Sequence, residues 1–440
     1  TPGVVTPPAE LVLLAHGVGG RSDLPIPEWR AAWGAVVILA LSFAVLGRLW
    51  PKALLRNAAE GRHLGIGADR LARLLGIVAV VVGTVLSTVV LSAGLVGPDT
   101  NVSNIAPVTV YVIFWVGVPL SSALLGDIWR AFSPWEALGR LVEAPTRVLR
   151  PVPGLVGAGW PALIPVGAFL WLELAYHDGA RPRVLAWAGI AYTVCLLALA
   201  RRSGWGVARR SEGFGVLFGA VGAVSPLYRS DGRLRIRPPF SGLARLETPA
   251  PVVAILLMAI GGTAFDGFSR TRFWGDILTG RSGWEATIVN TVGLAWVVLL
   301  VGLAYHLACR VGGRVTGDQN PAERFGASLV PILLGYSVAH YFSLLLLEGQ
   351  AFRSLLSDPY GLGWNLFGTL GDPIHWTLVS TTVVGWVQLV AIVVGHMAAV
   401  VAAHDRAVEA WSPTKAIRSQ YPMLVVMVAY TMAALVLVAG

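Results

Sequence analysis

Long, uninterrupted apolar runs are the feature that most constrains what this chain can fold into. They include residues 31–46, 74–96, 252–264, 292–304 and 423–439, and most approach the ~20 residues that cross a ~30 Å hydrocarbon layer. In lipid, every backbone N–H and C=O group must be hydrogen bonded within the chain, so such runs must be α-helices. The short alternating segments of a membrane β-barrel are not visible. The sequence therefore predicts an all-α, polytopic transmembrane helical bundle.

Composition supports this prediction, because 55% of the residues are hydrophobic and only 13% are charged, against roughly 25% charged in a soluble domain. Such depletion means that most of the chain contacts lipid or other apolar helices. We place about ten spans on the hydropathy pattern. They lie near 30–48, 74–97, 105–126, 157–176, 182–200, 249–267, 286–308, 325–347, 376–403 and 421–439.

The charge of the connecting loops predicts an orientation. Loops rich in Arg and Lys alternate with poor ones, and the positive-inside rule places the rich loops in the cytoplasm. Both termini then lie outside, and the localisation is a bacterial plasma membrane. The basic residues act as topology signals, so the net charge of +9 does not indicate nucleic-acid binding. One loop, 268–285, dissents with three arginines. The basic-rich loops are 48–73, 127–156, 201–248, 309–324 and 404–420.

The spans divide the chain into four parts. Residues 1–29 form an exported N-terminal segment. The apolar stretch before His16 looks like the tail of a signal peptide, and a disordered extension is the alternative. Residues 30–200 carry spans 1–5, and residues 249–440 carry spans 6–10 with the candidate site. Between them, 201–248 is a basic cytoplasmic loop that contains a short apolar segment.

Two segments are apolar but do not read as spans. Gly213–Pro226 is about 14 residues long and interrupted by glycines, a length that favours an interfacial or re-entrant piece. Trp129–Val142 is amphipathic and rich in Trp, which predicts a helix on the inner membrane surface.

Ionisable residues inside a membrane are costly and point to function. On the outer side, His340 lies within span 8, and polar residues surround a predicted outer mouth. Imidazole and carboxylate groups bind Zn, Cu or Fe, so His340, His375, Glu348 and a terminal His16 are candidate metal ligands. The alternative is interfacial anchoring and hydrogen bonding at helix ends. The outer-mouth residues are Glu348, His375, Glu173, His177 and Asp266.

On the inner side, His306 in span 7 and His396 in span 9 lie at similar predicted depth. They could be axial ligands of haem b, a proton relay, or a packing contact. Cys195 and Cys309 lack any thiolate spacing, so neither a disulfide framework nor a zinc ribbon is supported.

Span 9 carries one small and polar helical face, which includes Gln388, Gly395 and His396. Such a face indicates close helix packing through small residues, or the lining of a polar cavity among spans 7–9. The candidate intramembrane polar site is His340, Gln388, His396 and His306.

Phosphate-loop, dinucleotide-binding, nucleophile-elbow and HExxH motifs are absent from the sequence. A set of short stretches is spread over most of the chain: Ala15–Gly17, 20–29, Phe132–Trp135, Trp171–Leu174, Val330–Pro331, Ala339–Phe342, Asp372–Pro373 and 395–406. These stretches resemble a family of bacterial multi-pass membrane proteins often labelled fenitrothion hydrolase. The resemblance implies hydrolysis of an organophosphorus ester, for which metal-activated water is the plausible chemistry.

The leading hypothesis is movement or handling of a small solute or metal ion through a polar site among spans 7–9. A membrane metallohydrolase that uses the outer residues is one alternative. A haem-binding or respiratory assembly protein, acting with other membrane subunits, is another, and a scaffold without chemistry is a third.

Overall fold

The computed structural model describes residues 27–143 and 154–439. Within them 77% of the chain is helical and almost none of it is strand, which confirms the all-α prediction. The N-terminal segment, including His16, lies outside the described residues. The helices are α1 Glu28–Leu49, α2 Leu55–Ala58, α3 Ile66–Val96, α4 Ile105–Leu125, α5 Ile128–Phe132, α6 Pro134–Val142, α7 Gly154–Gly157, α8 Trp160–Leu174, α9 Pro182–Ser203, α10 Trp205–Ser211, α11 Gly213–Gly222, α12 Ala250–Ser269, α13 Arg272–Leu278, α14 Gly283–Thr316, α15 Pro321–Ser357, α16 Thr381–Ala410 and α17 Pro413–Ala439.

Eight helices of the described part are long and apolar enough to cross a membrane: α1, α3, α4, α9, α12, α14, α15 and α16. They correspond to eight of the predicted spans, so the chain is a multi-pass membrane protein. Predicted span 4 forms the shorter apolar helix α8. Predicted span 10 coincides with α17, which is 27 residues long.

A small antiparallel sheet, which the sequence reasoning missed, joins two of the basic-rich loops. Strand β1 is Arg62–His63, β2 is Leu227–Ser230 and β3 is Arg233–Ile236, in the order β1-β3-β2. The β2–β3 turn is Asp231-Gly232, both with positive φ. An Asp-Gly pair is the usual signal for a two-residue hairpin, so the sequence did carry the information.

Contacts between loops show that the basic-rich loops meet at one end of the bundle. Arg56 pairs with Glu409, Arg245 pairs with Glu60 at 2.8 Å, and the Arg406 guanidinium donates to the Leu243 carbonyl at 2.7 Å. Three of the basic-rich loops, 48–73, 201–248 and 404–420, are therefore in mutual contact, as the alternation of charge requires.

The basic-poor loops contact one another at the opposite end. Arg181 pairs with Asp99 at 3.0 Å, and the His177 backbone N–H donates to the Thr287 hydroxyl at 3.1 Å. In an antiparallel helical bundle, alternate loops lie at opposite ends. Contacts of basic-rich loops with one another, and of basic-poor loops with one another, are therefore the expected result.

The two apolar segments that are not spans pack against the bundle. Helix α11 is buried, with Phe214, Leu217 and Phe218 in the core, so it lies inside the protein rather than on its surface. The amphipathic segment forms α5 and α6, and Trp129 of α5 is also buried.

Helices α15 and α16 approach each other closely because glycines face each other at the crossing. A Cβ atom on Gly335 would lie 2.5 Å from the Ala391 carbonyl oxygen and 3.0 Å from the Cα of Gly395. Small residues permit this approach in membranes, where packing holds helices together. The small face of span 9 is thus a packing surface against α15.

We expect Gly335→Ala to destabilise the protein by about 1–3 kcal/mol, because the new methyl group would push α15 and α16 apart. Gly302→Ala in α14 is the matched control, since a Cβ there meets nothing within 4 Å. Thermal unfolding in detergent would compare the two variants. Equal effects would contradict the proposed role of this crossing.

Candidate functional site

Asp266, near the C-terminal end of α12, is the centre of a buried polar cluster. Its side chain is 2% exposed. One carboxylate oxygen, Oδ2, lies 2.8 Å from Nε2 of His340 and accepts a hydrogen bond from the Tyr341 hydroxyl at 3.1 Å. Both partners come from α15, which packs against α12. Consecutive residues of one helix thus converge on one carboxylate of another.

Arg270, the residue that follows α12, compensates the charge of Asp266 from four positions further along the chain. Its Nε and Nη2 atoms lie 3.3 Å and 3.2 Å from Oδ1 of Asp266. Residues four apart on a helix are neighbours, so the two partners are positioned locally.

Glu173, near the end of α8, brings a second carboxylate to the cluster. It is 6% exposed, and its Oε2 atom has no hydrogen-bond partner among the described residues. The charges of Asp266 and Arg270 both act on it. The positive charge of Arg270 also attracts Glu348 at the outer rim. One guanidinium group therefore interacts electrostatically with three carboxylates.

The tyrosine one turn before His340 extends the cluster towards the bundle interior. The Tyr336 hydroxyl is buried without a hydrogen-bond partner among the described residues, and its ring centroid lies 6.2 Å from that of His340. We define the outer cluster as Glu173, Asp266, Arg270, His340 and Tyr341.

The structure unites some of the predicted site residues. His340, Asp266 and Glu173 lie together, with Glu348 at the rim. Spans 4, 6 and 8 therefore build the cluster, whereas the sequence pattern favoured spans 7–9. Tyr341 and Arg270 were missed, although Tyr341 follows His340 directly and Arg270 stands four residues after Asp266.

Gln388 and His396 of span 9 do not join the outer cluster. The contacts of Gly335 with α16 show that Gln388 lies at about the same depth as His340. His340, however, points about 140° around α15 from the face that packs against α16. His396 lies about 12 Å further inward. Its Nδ1 atom is 2.8 Å from the Ile392 carbonyl oxygen of its own helix, and its Nε2 atom has no hydrogen-bond partner among the described residues.

Three other histidines lie apart from the outer cluster. His306 is exposed and lies 2.8 Å from the Gly302 carbonyl oxygen of its own helix, so the structure does not bring it to His396. His375 is exposed, and its backbone N–H rather than its ring contacts Gln350 at 3.1 Å. The His177 ring lies 2.9 Å from the Thr287 hydroxyl.

The described residues do not form a set of ligands for a metal ion, and His306 and His396 do not form a pair of haem ligands. Among residues 27–143 and 154–439, no group of three His, Cys, Asp or Glu side chains could hold a metal ion. His340 and Asp266 provide two such groups at most. The separation of His306 from His396 leaves the haem hypothesis without a second axial ligand from that pair.

Comparisons with protein-family models, with curated proteins and with solved structures found no match.

Removing the central carboxylate should be costly. We expect Asp266→Ala to destabilise the protein by about 3–5 kcal/mol, because Arg270 would lose its buried counter-charge. Asp372→Ala is the control, since Asp372 pairs with Arg353 at the surface, where a salt bridge contributes less than about 1 kcal/mol. Thermal unfolding in detergent measures both. A loss no larger than that of the control would show that the buried pair is not central.

Proposed function

We propose that this membrane protein couples the binding and release of a proton at the outer cluster to the movement of a small solute. The observation that carries the proposal is the buried carboxylate oxygen Oε2 of Glu173, which has no hydrogen-bond partner among the described residues and lies near the Asp266 carboxylate. Intramembrane carboxylates that face a bundle interior typically belong to ion pathways and proton relays.

The charge balance of the cluster explains why a proton or cation belongs there. Arg270 compensates Asp266 directly, at hydrogen-bonding distance. A second negative charge on Glu173 has no such partner among the described residues, and an uncompensated buried charge costs several kcal/mol, roughly. A proton on Glu173 removes that cost, and His340 offers a second group that can exchange a proton.

One observation favours a second candidate function. The His340–Asp266 contact of 2.8 Å is the arrangement that orients a histidine as a general base, which suits the organophosphorus-ester hydrolase that the family resemblance implies. His340 is only 4% exposed, however, and the described residues contain no group of three His, Cys, Asp or Glu side chains that could hold a metal ion. Proton-coupled solute movement is therefore the better-supported function.

Glu173→Gln tests the proposal in vesicles that hold the purified protein and an internal pH-sensitive dye. Amino acids and sugars are added outside in turn. We expect at least one solute to acidify the interior of wild-type vesicles, and we expect Glu173→Gln to abolish that response because glutamine cannot carry the proton.

Glu60→Gln, which changes an exposed carboxylate of the 48–73 loop, should behave as wild type. A wild-type response that persists in Glu173→Gln would refute the role of this carboxylate. Release of nitrophenol from a nitrophenyl phosphotriester, dependent on His340, would favour the hydrolase instead.

We also propose that the basic-rich loops lie in the cytoplasm of a bacterial plasma membrane, with both termini outside, following the positive-inside rule. In intact cells, a membrane-impermeant thiol reagent should label Arg281→Cys between α13 and α14 but not Arg233→Cys in β3. Labelling of Arg233→Cys alone would reverse the orientation. Partnership with other membrane subunits stays a prediction.

A further inference from the structure

The middle of α4 is a π-helix, Val108–Gly117, and it carries three aromatic side chains into the bundle. Tyr111 and Trp115 are buried, and Phe114 packs against them in the core. Segments of π-helix are rare and occur frequently at functional sites. A change of this segment to α-helical hydrogen bonding would rotate its aromatic side chains.

These side chains belong to a contiguous set of rings. Trp115 and Phe169 have ring centroids 4.5 Å apart, and Phe114 lies 4.9 Å from Phe214 and 5.3 Å from Phe218. We call Phe114, Trp115, Phe169, Phe214 and Phe218 the aromatic gate. Apolar constrictions of this kind exclude water and with it the hydrogen-bonded chains along which protons move.

The outer side of the aromatic gate adjoins the outer cluster. Trp115 interacts with Tyr341, which donates to Asp266. Tyr111, on the same π-helical segment, interacts electrostatically with Glu173. The two sets of residues are therefore neighbours rather than separate features.

The other side of the aromatic gate adjoins a second buried acid, Glu212, at the start of α11. Its Oε1 atom accepts a hydrogen bond from the Tyr192 hydroxyl at 2.7 Å, and the Tyr192 ring lies 5.7 Å from Phe214. Trp129, which lies 4.8 Å from Phe114, also borders Glu212.

The surroundings of Glu212 bring the pKa of its carboxyl group close to neutral pH. Burial raises its pKa to about 7, against the opposing effect of the Tyr192 hydrogen bond. Asp127 lies nearby, and burial raises the pKa of its carboxyl too. Arg130, Arg209 and Glu136 act on Asp127 from the basic end of the bundle. Neither carboxylate was a candidate from sequence.

We propose that Glu212 is a second, inner proton-binding site and that the aromatic gate separates it from the outer cluster. This proposal rests on the proposed function, whose proton path it completes. When the gate opens, the proton leaves the carboxyl group of Glu173, passes along water, and binds to the carboxylate of Glu212. One positive charge moves inward, and no other bond changes.

Removing a ring from the aromatic gate should let water connect the two acids. The probe is proton entry into vesicles with an internal pH dye, driven by a potassium diffusion potential, with no solute added. We expect Phe114→Ala to raise the initial rate several-fold over wild type. Phe114→Ala/Glu212→Gln and Phe114→Ala/Glu173→Gln should each lose that increase.

Phe43→Ala is the matched control, because Phe43 is a buried ring of α1 that packs near Tyr421, remote from both acids. A similar leak in Phe43→Ala would mean that any core cavity leaks and would overturn the gate. A leak that survives Glu212→Gln but not Glu173→Gln would overturn the inner site while leaving the outer cluster intact. If Phe114→Ala does not fold, Phe114→Leu serves the same comparison.

The titration of Glu212 has its own signature in stability. The folded protein keeps this proton above pH 4.5, where an ordinary Glu loses it, and releases it near pH 7. Glu212 therefore stabilises the fold fully below the lower value, and its contribution is lost as pH rises through the higher one.

We expect the fall in Tm between about pH 5 and about pH 8 to be smaller in Glu212→Gln than in wild type, because glutamine does not titrate. Glu60→Gln, at the exposed Glu60, should leave that fall unchanged. An equal fall in Glu212→Gln would show that Glu212 does not hold a proton near neutral pH.

Discussion

Backbone hydrogen bonding in a medium without water is the constraint on which this structure depends. It requires every span to be a helix, and it leaves side chains as the polar groups that the bundle must accommodate. The helices meet that demand where they pack together. At the α12–α15 contact, Asp266 receives His340 and Tyr341, so one carboxylate satisfies two polar groups that lipid would not tolerate.

Local geometry lowers the free-energy cost of burying the charges of the outer cluster. Asp266 and Arg270 neutralise each other within a single helical turn, so their pairing does not depend on a distant loop. Glu173 comes from another helix, and its Oε2 atom has no hydrogen-bond partner in the described part of the chain. This asymmetry, in which one acid is compensated and its neighbour is not, distinguishes the cluster from a purely structural ion pair.

The π-helical segment of α4 lies between two acidic regions of unlike surroundings. Tyr111 and Trp115 approach the outer cluster, whereas Phe114 packs on Trp129 near Glu212. The rings between them form an apolar core, and apolar constrictions exclude water. Packing and proton control are thus properties of the same side chains.

The sequence by itself determined the membrane class, eight of the ten predicted helical spans and the alternation of loop charge, because apolar length and basic loops act locally along the chain. It also placed His340, Asp266 and Glu173 on one side of the membrane. Only the tertiary structure decided which of them meet: His340 joins Asp266, while His306, His375 and Gln388 stand apart. Helical periodicity shows which residues share a face, but the partner of that face depends on helix packing, and the glycine crossing of α15 and α16 turned the polar face of span 9 away from the outer cluster.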